Sequence, residues 1–369
     1  MRQRFLIFSI LAGVHLAIAP LNATDITFVP GSQSITGLQF DLEYQQRPAN
    51  VVVSAGKASS AARKLVSSSN YGPSSVRVLI VGMNRTSIGG GVVVTVSAAA
   101  GESPFVLTNV IGSDEEGNAL PLRARDTTLS LIVPTVQGVA NAASYATGVV
   151  APGEIIVISG ISLASATTNT LQVTSSGVAA TALGGARVLF DGIPAPLVYT
   201  TQTQLCAVVP YEVDGKSQAS MQVQYDGMLS TAVVVPVSRT APGIFTLDGS
   251  GTGQGAIVNQ DGTINGPDHP APRGSVVSIY ATGEGQTEPS GIDGRIATAS
   301  DLRRPTAPVI VLIAGQAAEV AFAGSAGGQV SGLFQVNAVV PRSIPSGVVP
   351  VTVEVGEAGS QAGATMVVQ

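Results

Sequence analysis

Few residues of this sequence have the chemistry of a catalytic or metal-binding centre. Beyond residue 23 the chain has one cysteine, Cys206, and one histidine, His269. A Ser/His/Asp triad needs a histidine beside a serine, whereas His269 lies in the proline-rich run 267–272, which is typical of a loop. Cys206 lies in an apolar strand pattern with no evident base, so we expect a buried structural thiol. A zinc site of the Cys/His type is excluded because it needs more ligands than these two residues supply.

One glycine-rich segment has features of a ligand-binding loop. Residues 251–255 alternate glycine with other residues, as a phosphate-binding loop does, but no helix pattern follows. The next residues alternate around Asp261-Gly262, which predicts a β-hairpin. Asp261 and Asn265 have the spacing of calcium ligands, yet Ile257 stands where the first ligand should be. We therefore predict a turn here, with neither nucleotide nor calcium.

Acidic and aromatic residues do not form an obvious site either. The chain has 23 Asp and Glu residues, mostly in turns or on the polar side of strands, and no pair stands out for the general acid/base chemistry of sugar hydrolysis. Tryptophan is absent, so a sugar-stacking platform would depend on tyrosines that we expect in the core or in turns, namely Tyr71, Tyr145, Tyr199, Tyr211 and Tyr280. We predict no catalytic, cofactor-binding or metal-binding residues, no cofactor, and a protein that is not an enzyme.

The composition indicates a chain of strands and tight turns. Glycine (43) and proline (22) are plentiful, only 11% of the 369 residues are charged, and 45% are hydrophobic, which argues against disorder. The length suggests two to four domains on a scale of about 100–200 residues each. The net charge is −5 and no Lys/Arg cluster occurs, so nucleic acid is not expected as a partner.

The first 23 residues have the pattern of a signal peptide. Arg2 and Arg4 precede an apolar run over residues 5–19, and small residues follow. Cleavage after Ala19 and cleavage after Ala23 both fit this pattern. The apolar run is shorter than the roughly 20 residues of a spanning helix, and no later run reaches that length. We expect a secreted protein, extracellular or in the cell envelope, with no membrane span after the signal is removed.

Residues 24–134 have the strand spacing of a β-sandwich or jelly roll. The clearest strand is 38–44, where apolar residues occupy every second position. Further strands are expected at 51–55, 76–81, 92–97, 105–110 and 128–133, and a short helical turn at 58–66.

This region resembles the cohesin-like domains in the order and spacing of four segments. These are Gly37-Leu38-Gln39-Phe40-Asp41-Leu42-Glu43-Tyr44, Ala55-Gly56-Lys57, Val76-Arg77-Val78-Leu79-Ile80-Val81-Gly82 and Gly89-Gly90-Gly91-Val92-Val93. The resemblance implies a jelly-roll sandwich that binds a dockerin-like protein module. The sequence departs from the family where Gln45-Gln46-Arg47-Pro48 follows the first strand instead of an Asp-Pro pair.

From about Gln137 the chain contains an internal repeat. Four segments recur in the same order at an offset of roughly 120–130 residues, which predicts two copies of one sandwich module. The pairs are 152–160 with 273–280, 188–195 with 311–318, 204–210 with 335–341, and 221–227 with 351–356. Gly192 then corresponds to Gly315, Pro210 to Pro341, and Cys206 to Asn337. The last pair predicts that Cys206→Asn changes the free energy of unfolding by no more than about 1 kcal/mol.

Residues 137–369 are similar to an uncharacterised C-terminal region of secreted acidobacterial proteins. The similarity is carried by Gly138-Val139-Ala140-Asn141-Ala142-Ala143-Ser144-Tyr145, Ala151-Pro152-Gly153-Glu154, Val209-Pro210-Tyr211-Glu212-Val213, Ala241-Pro242-Gly243-Ile244-Phe245-Thr246, Asn259-Gln260-Asp261-Gly262-Thr263 and Ala281-Thr282-Gly283-Glu284-Gly285-Gln286-Thr287. Each copy also resembles the immunoglobulin-like modules called IPT/TIG domains. These resemblances imply architecture and export, and no activity.

The sequence therefore predicts an all-β protein of three tandem β-sandwich domains after a signal peptide. The expected parts are a signal peptide at 1–23, a cohesin-like sandwich at 24–134, and Ig-like repeats at 137–238 and 241–369. The expected function is non-enzymatic binding, adhesion or scaffolding, with a protein partner such as a dockerin-like module, or with a cell-surface or polysaccharide-associated partner. The alternative is a carbohydrate-active hydrolase or an accessory carbohydrate-binding protein in extracellular polysaccharide breakdown.

Overall fold

The computed structural model describes residues 21–31, 33–99 and 105–369. The chain divides into two compact units, one ending at Ile132 and one spanning Val133–Gln369. Most of the expected signal peptide, including the cleavage position after Ala19, lies outside the described residues, and Ala23 lies in the first strand. Among the described residues, no helix is long and apolar enough to cross a membrane.

The described part of the N-terminal unit contains nine strands and one α-helix. These are β1 (Leu21–Val29), β2 (Gly37–Tyr44), β3 (Val51–Ala55), α1 (Lys57–Ala61), β4 (Leu65–Asn70), β5 (Ser75–Val81), β6 (Gly91–Ala99), β7 (Phe105–Ser113), β8 (Ala119–Arg125) and β9 (Thr128–Leu131). They form one hydrogen-bonded sheet in the order β3-β6-β1-β9-β8-β7-β2-β5-β4.

Alternation along these strands separates a core face from an outer face. On β2, Leu38, Phe40 and Leu42 are at most 2% exposed, and the polar residues between them point to the opposite side. Buried residues of β1 and β6, such as Phe28 and Val94, complete the core. The predicted strands are found. The predicted helical turn at 58–66 is wrong in its second half, because the helix ends at Ala61 and Leu65–Asn70 is a strand.

The C-terminal unit contains twenty-three strands and one 3-10 helix, Tyr211–Val213. The strands before the second copy begins are β10 (Thr135–Asn141), β11 (Ile155–Ile161), β12 (Asn169–Thr170), β13 (Ala186–Phe190), β14 (Ile193–Pro194), β15 (Leu197–Thr200), β16 (Gln204–Val208), β17 (Gln218–Tyr225), β18 (Met228–Leu229) and β19 (Val233–Pro236). We call residues 137–238 repeat 1 and residues 241–369 repeat 2.

The strands of repeat 2 follow in a matching order. They are β20 (Gly243–Ile244), β21 (Gly253–Gln254), β22 (Ile257–Asn259), β23 (Val276–Thr282), β24 (Thr287–Glu288), β25 (Arg304–Pro305), β26 (Val309–Ile313), β27 (Gln316–Ala318), β28 (Val320–Ser325), β29 (Phe334–Val339), β30 (Gly347–Val355), β31 (Ala358–Gly359) and β32 (Ala364–Val368).

The two repeats have corresponding sheets. In repeat 1 the order β10-β11-β16-β15-β12 makes one sheet, and β14-β13-β17, with β18 and β19 both on β17, makes the other. In repeat 2, β23-β29-β28 with β20 and β22 on β23 corresponds to the first, and β27-β26-β30-β32-β21 to the second. Gly192 and Gly315 both lie in the hairpin between the first two strands of the second sheet, and both have positive φ. Pro210 and Pro341 both lie just beyond the equivalent strands β16 and β29.

Each repeat has its own apolar core between its two sheets. The core of repeat 1 includes Ile158, Phe190 and Leu205, and that of repeat 2 includes Ile279 and Phe334, all fully buried. Period-2 alternation explains this, since one face of each strand points inward. The protein is therefore an all-β, multi-domain protein with sandwich-like sheets, and the predicted fold class is confirmed.

Candidate functional site

Cys206 lies in an apolar cluster between the two repeats. As strand alternation predicts, its neighbours Leu205 and Ala207 point into the core of repeat 1 while Cys206 and Val208 point to the other face. The thiol is 4% exposed, and burial raises its pKa to about 12. The side chain contacts a cluster that includes Val330 of repeat 2. A protonated, covered thiol of this kind is a structural residue rather than a nucleophile.

His269 lies at the rim of a depression that also contains Ser275 and Asp261. The Ser275 hydroxyl donates to the Pro272 carbonyl at 2.7 Å, and Asp261 accepts from the amide and hydroxyl of Thr263 at 3.0 and 2.7 Å. Among the described residues, the His269 imidazole makes no hydrogen bond to Ser275 or Asp261. The three residue types of a triad are close together here without the triad's hydrogen bonds.

The predicted turn at Asp261-Gly262 is present. The Asn259 amide donates to the Thr263 carbonyl at 2.8 Å, and Gly262 has φ +85°. Asn265 is fully buried, where its side-chain amide donates to the carbonyl of Val367 at 2.8 Å and to the side chain of Asn259 at 3.0 Å, so it is not available to a cation. The part of the chain that the structure describes contains no group of three or more His, Cys, Asp or Glu side chains placed to hold a metal ion.

The tyrosines do not form a common platform. Tyr211 is buried, and Tyr199 is half-buried with its hydroxyl donating to Gln204 at 2.8 Å. Tyr71 and Tyr145 are 58% and 44% exposed, and they belong to different units. Tyr71 is therefore an exposed residue of the N-terminal unit and not part of a row of aromatic rings that could bind sugar.

Segments that carry the C-terminal resemblance come together where the two repeats meet. The side chain of Asn141 links them: its amide donates to the Glu154 carboxyl at 2.8 Å and to the Ala241 carbonyl of repeat 2 at 3.0 Å, and its oxygen accepts from the amides of Ala143 and Ser144. The other Glu154 oxygen accepts from the Ala151 amide at 2.7 Å. We call this region the repeat junction.

The repeat 2 side of the junction is made by a strand end and a glycine. The Ile155 amide of repeat 1 donates to the Thr282 hydroxyl at 2.8 Å. The next residue, Gly283, has φ +84°, and a Cβ there would lie 1.9 Å from the Ala241 carbonyl oxygen. Only glycine fits this close approach. The Ala241 amide also donates to the Gly283 carbonyl at 2.9 Å.

Two carboxyls are buried in this region. Glu154 and Glu284 are 0% and 2% exposed, and burial raises the pKa of each to about 8. The Oε2 atom of Glu284 has no hydrogen-bond partner within residues 133–369, all of which are described. Nearby, the Tyr211 ring lies against Gly153 and Gly291, and its backbone amide donates to Asp293 at 2.8 Å. Burial raises the pKa of the Tyr211 phenol as well.

The junction has the geometry of a structural connection. The side chains of Asn141, Glu154, Thr282 and Glu284 are at most 3% exposed, and those of Asn141 and Thr282 form hydrogen bonds across the boundary between the repeats. Sequence reasoning did not identify Glu154 or Glu284 as buried. The available signal was a Gly-Glu pair directly beside an apolar strand, at Gly153-Glu154 and Gly283-Glu284.

The outer face of strands β4, β5, β2 and β7 in the N-terminal unit has a different character. At its centre the Arg77 guanidinium donates to both oxygens of Asp41, at 2.7 and 2.8 Å, and the Asn109 amide donates to the same carboxylate at 2.8 Å. The hydrogen bonds from Arg77 hold the pKa of Asp41 below its usual range. The Arg77 guanidinium carbon also lies 3.4 Å from the centroid of the Tyr71 ring.

Exposed apolar side chains surround this charged pair. Leu65 and Val81 lie opposite each other on β4 and β5 and are 67% and 45% exposed, and Val106 and Ile111 on β7 are 62% and 43% exposed. Strand register places all four on the side of the sheet that carries Asp41. We call these four residues, with Tyr71, Asp41 and Arg77, the sheet face.

The fold and these two regions define the chain as an all-β protein with a buried connection between repeats and an exposed sheet face. No family model matches the sequence. No curated protein matches it either.

Two of the solved structures that align with this chain show the level of similarity. An endo-fucoidan hydrolase from glycoside hydrolase family 107 aligns with 95% of this chain at 11% identity and a TM-score of 0.20, and the chain spans 44% of that protein. A BSP domain of a biofilm associated protein aligns with 94% of this chain at 8% identity and a TM-score of 0.11, over 98% of its own length.

Proposed function

We propose that this chain is an exported, non-enzymatic binding protein whose N-terminal unit contacts a protein partner through the sheet face. The observation that carries the proposal is the set of exposed apolar side chains around a neutralised ion pair. Exposed apolar side chains grouped on one face of a sheet are typical of an interaction site on a soluble domain. The resemblance to cohesin-like domains supports a protein partner, for which a dockerin-like module is one candidate.

The chemistry of the sheet face favours a protein over a polysaccharide. Arg77 and Tyr71 belong to the residue types enriched at the centre of protein interfaces. Asp41 is 1% exposed and already paired, so burying it further leaves no charge without a partner. One side of the Tyr71 ring is occupied by Arg77, and among the described residues of this face no second exposed aromatic ring continues a stacking surface for sugar rings.

In this proposal the C-terminal unit supplies a stiff support rather than a second active centre. The repeat junction holds the two sandwiches together through buried hydrogen bonds and close glycine contacts. Such a body suits display, spacing or attachment at a cell surface. We propose that it acts in the extracellular space or the cell envelope.

The experiment compares two matched charge insertions in the full chain. Val106 lies on the sheet face and Val52 lies on β3, at the opposite end of the strand order, and they are 62% and 55% exposed. Proteins retained from the exported fraction of the parent culture are identified, purified and titrated against each variant. Val106→Asp should weaken binding at least tenfold, and Val52→Asp should leave it unchanged.

Two results would count against the proposal. Equal binding by the two variants would remove the sheet face from the interaction. Hydrolysis of a polysaccharide by the purified chain would instead support the alternative function, a carbohydrate-active hydrolase, and binding of a polysaccharide weakened by Val106→Asp would replace the protein partner with a carbohydrate.

A further inference from the structure

The two repeats differ at one sheet edge. In repeat 2, β32 pairs with β30 on one side and with the short strand β21 on the other. The Gly253 amide donates to the Gly363 carbonyl and the Gly255 amide to the Thr365 carbonyl, both at 2.8 Å. The strand β21 runs parallel to β32, so this edge of repeat 2 is covered by the chain itself.

The corresponding edge of repeat 1 belongs to β19. The pair Ser220 and Val234 in repeat 1 occupies the same register as Pro350 and Thr365 in repeat 2. A further bond repeats as well, since the Val150 amide donates to the Pro236 carbonyl at 2.9 Å as the Ala271 amide donates to the Val367 carbonyl at 2.8 Å. These matches show that Val234 stands where repeat 2 has the covered residue Thr365.

No strand takes the place of β21 in repeat 1. The residues at the equivalent chain position, Thr135 and Val136 of β10, pair instead with Ile161 and Gly160 of β11. Backbone groups on an edge strand alternate in direction, and Pro236 and Val234 therefore both face away from β17. Throughout residues 133–369, all of which are described, nothing pairs with the outward amide and carbonyl of Val234.

The open edge borders an apolar groove. A cavity of about 210 Å³ lies between β10 and β19, lined by Val136–Val139, Gly148–Val150 and Val233–Pro236. The lining contains no charged side chain. Val234 and Val149 are 59% and 45% exposed. The groove therefore combines unpaired backbone groups with an uncharged wall.

We propose that this groove binds an extended, uncharged peptide segment of a partner protein, which adds to repeat 1 as a strand parallel to β19. Main-chain hydrogen bonds to the Val234 edge supply the pairing, and small or apolar side chains enter the groove. The occupant is uncharged because the wall offers no partner to a buried charge. The glycine-rich segment that covers the equivalent edge of repeat 2 indicates the kind of peptide sequence expected here.

This site is separate from the sheet face, because it lies in the C-terminal unit and shares no residue with it. If the sheet-face proposal fails, the groove proposal still stands, and if the groove proposal fails, the sheet-face proposal still stands.

The test uses a labelled peptide with the sequence of residues 250–258, Ser-Gly-Thr-Gly-Gln-Gly-Ala-Ile-Val, titrated into the full chain and followed by fluorescence anisotropy. Saturable binding is expected. Val234→Lys places a charge at the groove, and Val234→Pro removes the outward amide without touching the bonds to β17. The matched control is Val348→Lys, since Val348 is 68% exposed on β30. A second peptide has proline in place of Gly255 and therefore lacks one of the two backbone amides, those of Gly253 and Gly255, that donate hydrogen bonds in repeat 2.

Both Val234 variants and the proline peptide should weaken binding at least tenfold, and Val348→Lys should leave it unchanged. No saturable binding at millimolar peptide, or equal binding by Val234→Lys and the unmodified chain, would overturn the proposal. Sedimentation velocity of the full chain supplies the remaining outcome. Self-association that Val234→Lys abolishes would identify the occupant as a second copy of this chain and overturn the partner peptide.

Discussion

Cys206 and Asn337 occupy equivalent strand positions with different surroundings. From the equivalence alone, Cys206 was expected to tolerate asparagine. The structure places Cys206 among apolar residues of both repeats, whereas Asn337 is half-buried and accepts a hydrogen bond from Gln335 at 2.8 Å. The difference arises because repeat 2 covers this face of repeat 1.

We therefore expect Cys206→Asn to lower the free energy of unfolding by about 1–3 kcal/mol, because it buries an amide without partners. The reverse change at the equivalent position, Asn337→Cys, should stay within about 0.5 kcal/mol, as for a surface substitution. Denaturant titration of the two variants measures both effects. Equal stability of Cys206→Asn and the unmodified chain would restore the sequence-based expectation.

The raised pKa of Glu284 makes the stability of the C-terminal unit depend on pH. Its folded pKa of about 8 lies above the roughly 4.3 of an unfolded glutamate, so the folded state holds the proton more tightly. Its stabilising effect is complete below the unfolded pKa and is lost as pH rises through the folded value. The contribution of this group to the free energy of unfolding should therefore fall as pH rises from about 5 to about 8.

Glu284→Gln removes the titrating proton while keeping the shape of the side chain. Its unfolding free energy should therefore depend less on pH in that window, by the amount that Glu284 contributes. Glu288→Gln is the control because Glu288 is exposed on β24. A pH profile that is the same in Glu284→Gln and in the unmodified chain would show that Glu284 does not titrate as its burial implies.

At the scale of elements, sequence periodicity predicted the strands in which apolar and polar residues alternate. The strand at 51–55 was predicted with the bounds of β3, and 38–44 differs from β2 by one residue. Strand β4 was not predicted because Leu65-Val66-Ser67-Ser68-Ser69-Asn70 has little apolar alternation, and it is stabilised by pairing with β5. Strands β1 and β8 were not predicted either, and the first residues of β1 overlap the expected signal peptide.

The candidate sites depended on contacts that no local pattern contains. Asp41 was correctly placed on the polar side of its strand, yet it is almost fully covered because Arg77 and Asn109 come from neighbouring strands. Glu154 and Glu284 are buried at the repeat junction, where Asn141 bonds both to the Glu154 carboxyl and to the Ala241 carbonyl of repeat 2. The sequence supplied the residues of the junction as dense motifs, but gave no indication of what those motifs contact.

A comparison of two glycines that have the same φ angle distinguishes the cost of backbone strain from the cost of a steric clash. Gly192 and Gly283 both have φ +84°, but a Cβ at Gly192 meets nothing within 4 Å. Gly192→Ala should therefore cost about 1–2 kcal/mol, the usual penalty for the left-handed region. Gly283→Ala should cost at least twice as much, because the Ala241 carbonyl must also move. Thermal unfolding of the two variants tests this, and equal losses would contradict the role assigned to the close approach.

At the scale of the C-terminal unit, the backbones of the two repeats are in close contact. A Cβ at Gly332 of repeat 2 would lie 2.1 Å from the Gly153 carbonyl oxygen of repeat 1. Backbone bonds also cross the boundary, since the Ala179 amide donates to the Gly294 carbonyl at 2.8 Å and the Ile296 amide to the Gly177 carbonyl at 3.0 Å. Two modules that the repeat pattern separates therefore belong to one compact unit.

This packing predicts that the two repeats unfold together. Val353 is fully buried in the core of repeat 2, and Val353→Ala should destabilise that core by about 2 kcal/mol. If unfolding is cooperative, hydrogen exchange in the full chain should lose the same protection free energy in β16 of repeat 1 as in β29 of repeat 2. Adding Thr282→Val, which removes the acceptor of the Ile155 amide, should weaken the connection and confine more of the loss to repeat 2. Loss of protection in β29 alone, with Val353→Ala as the single change, would show that the junction joins the repeats without making them one folding unit.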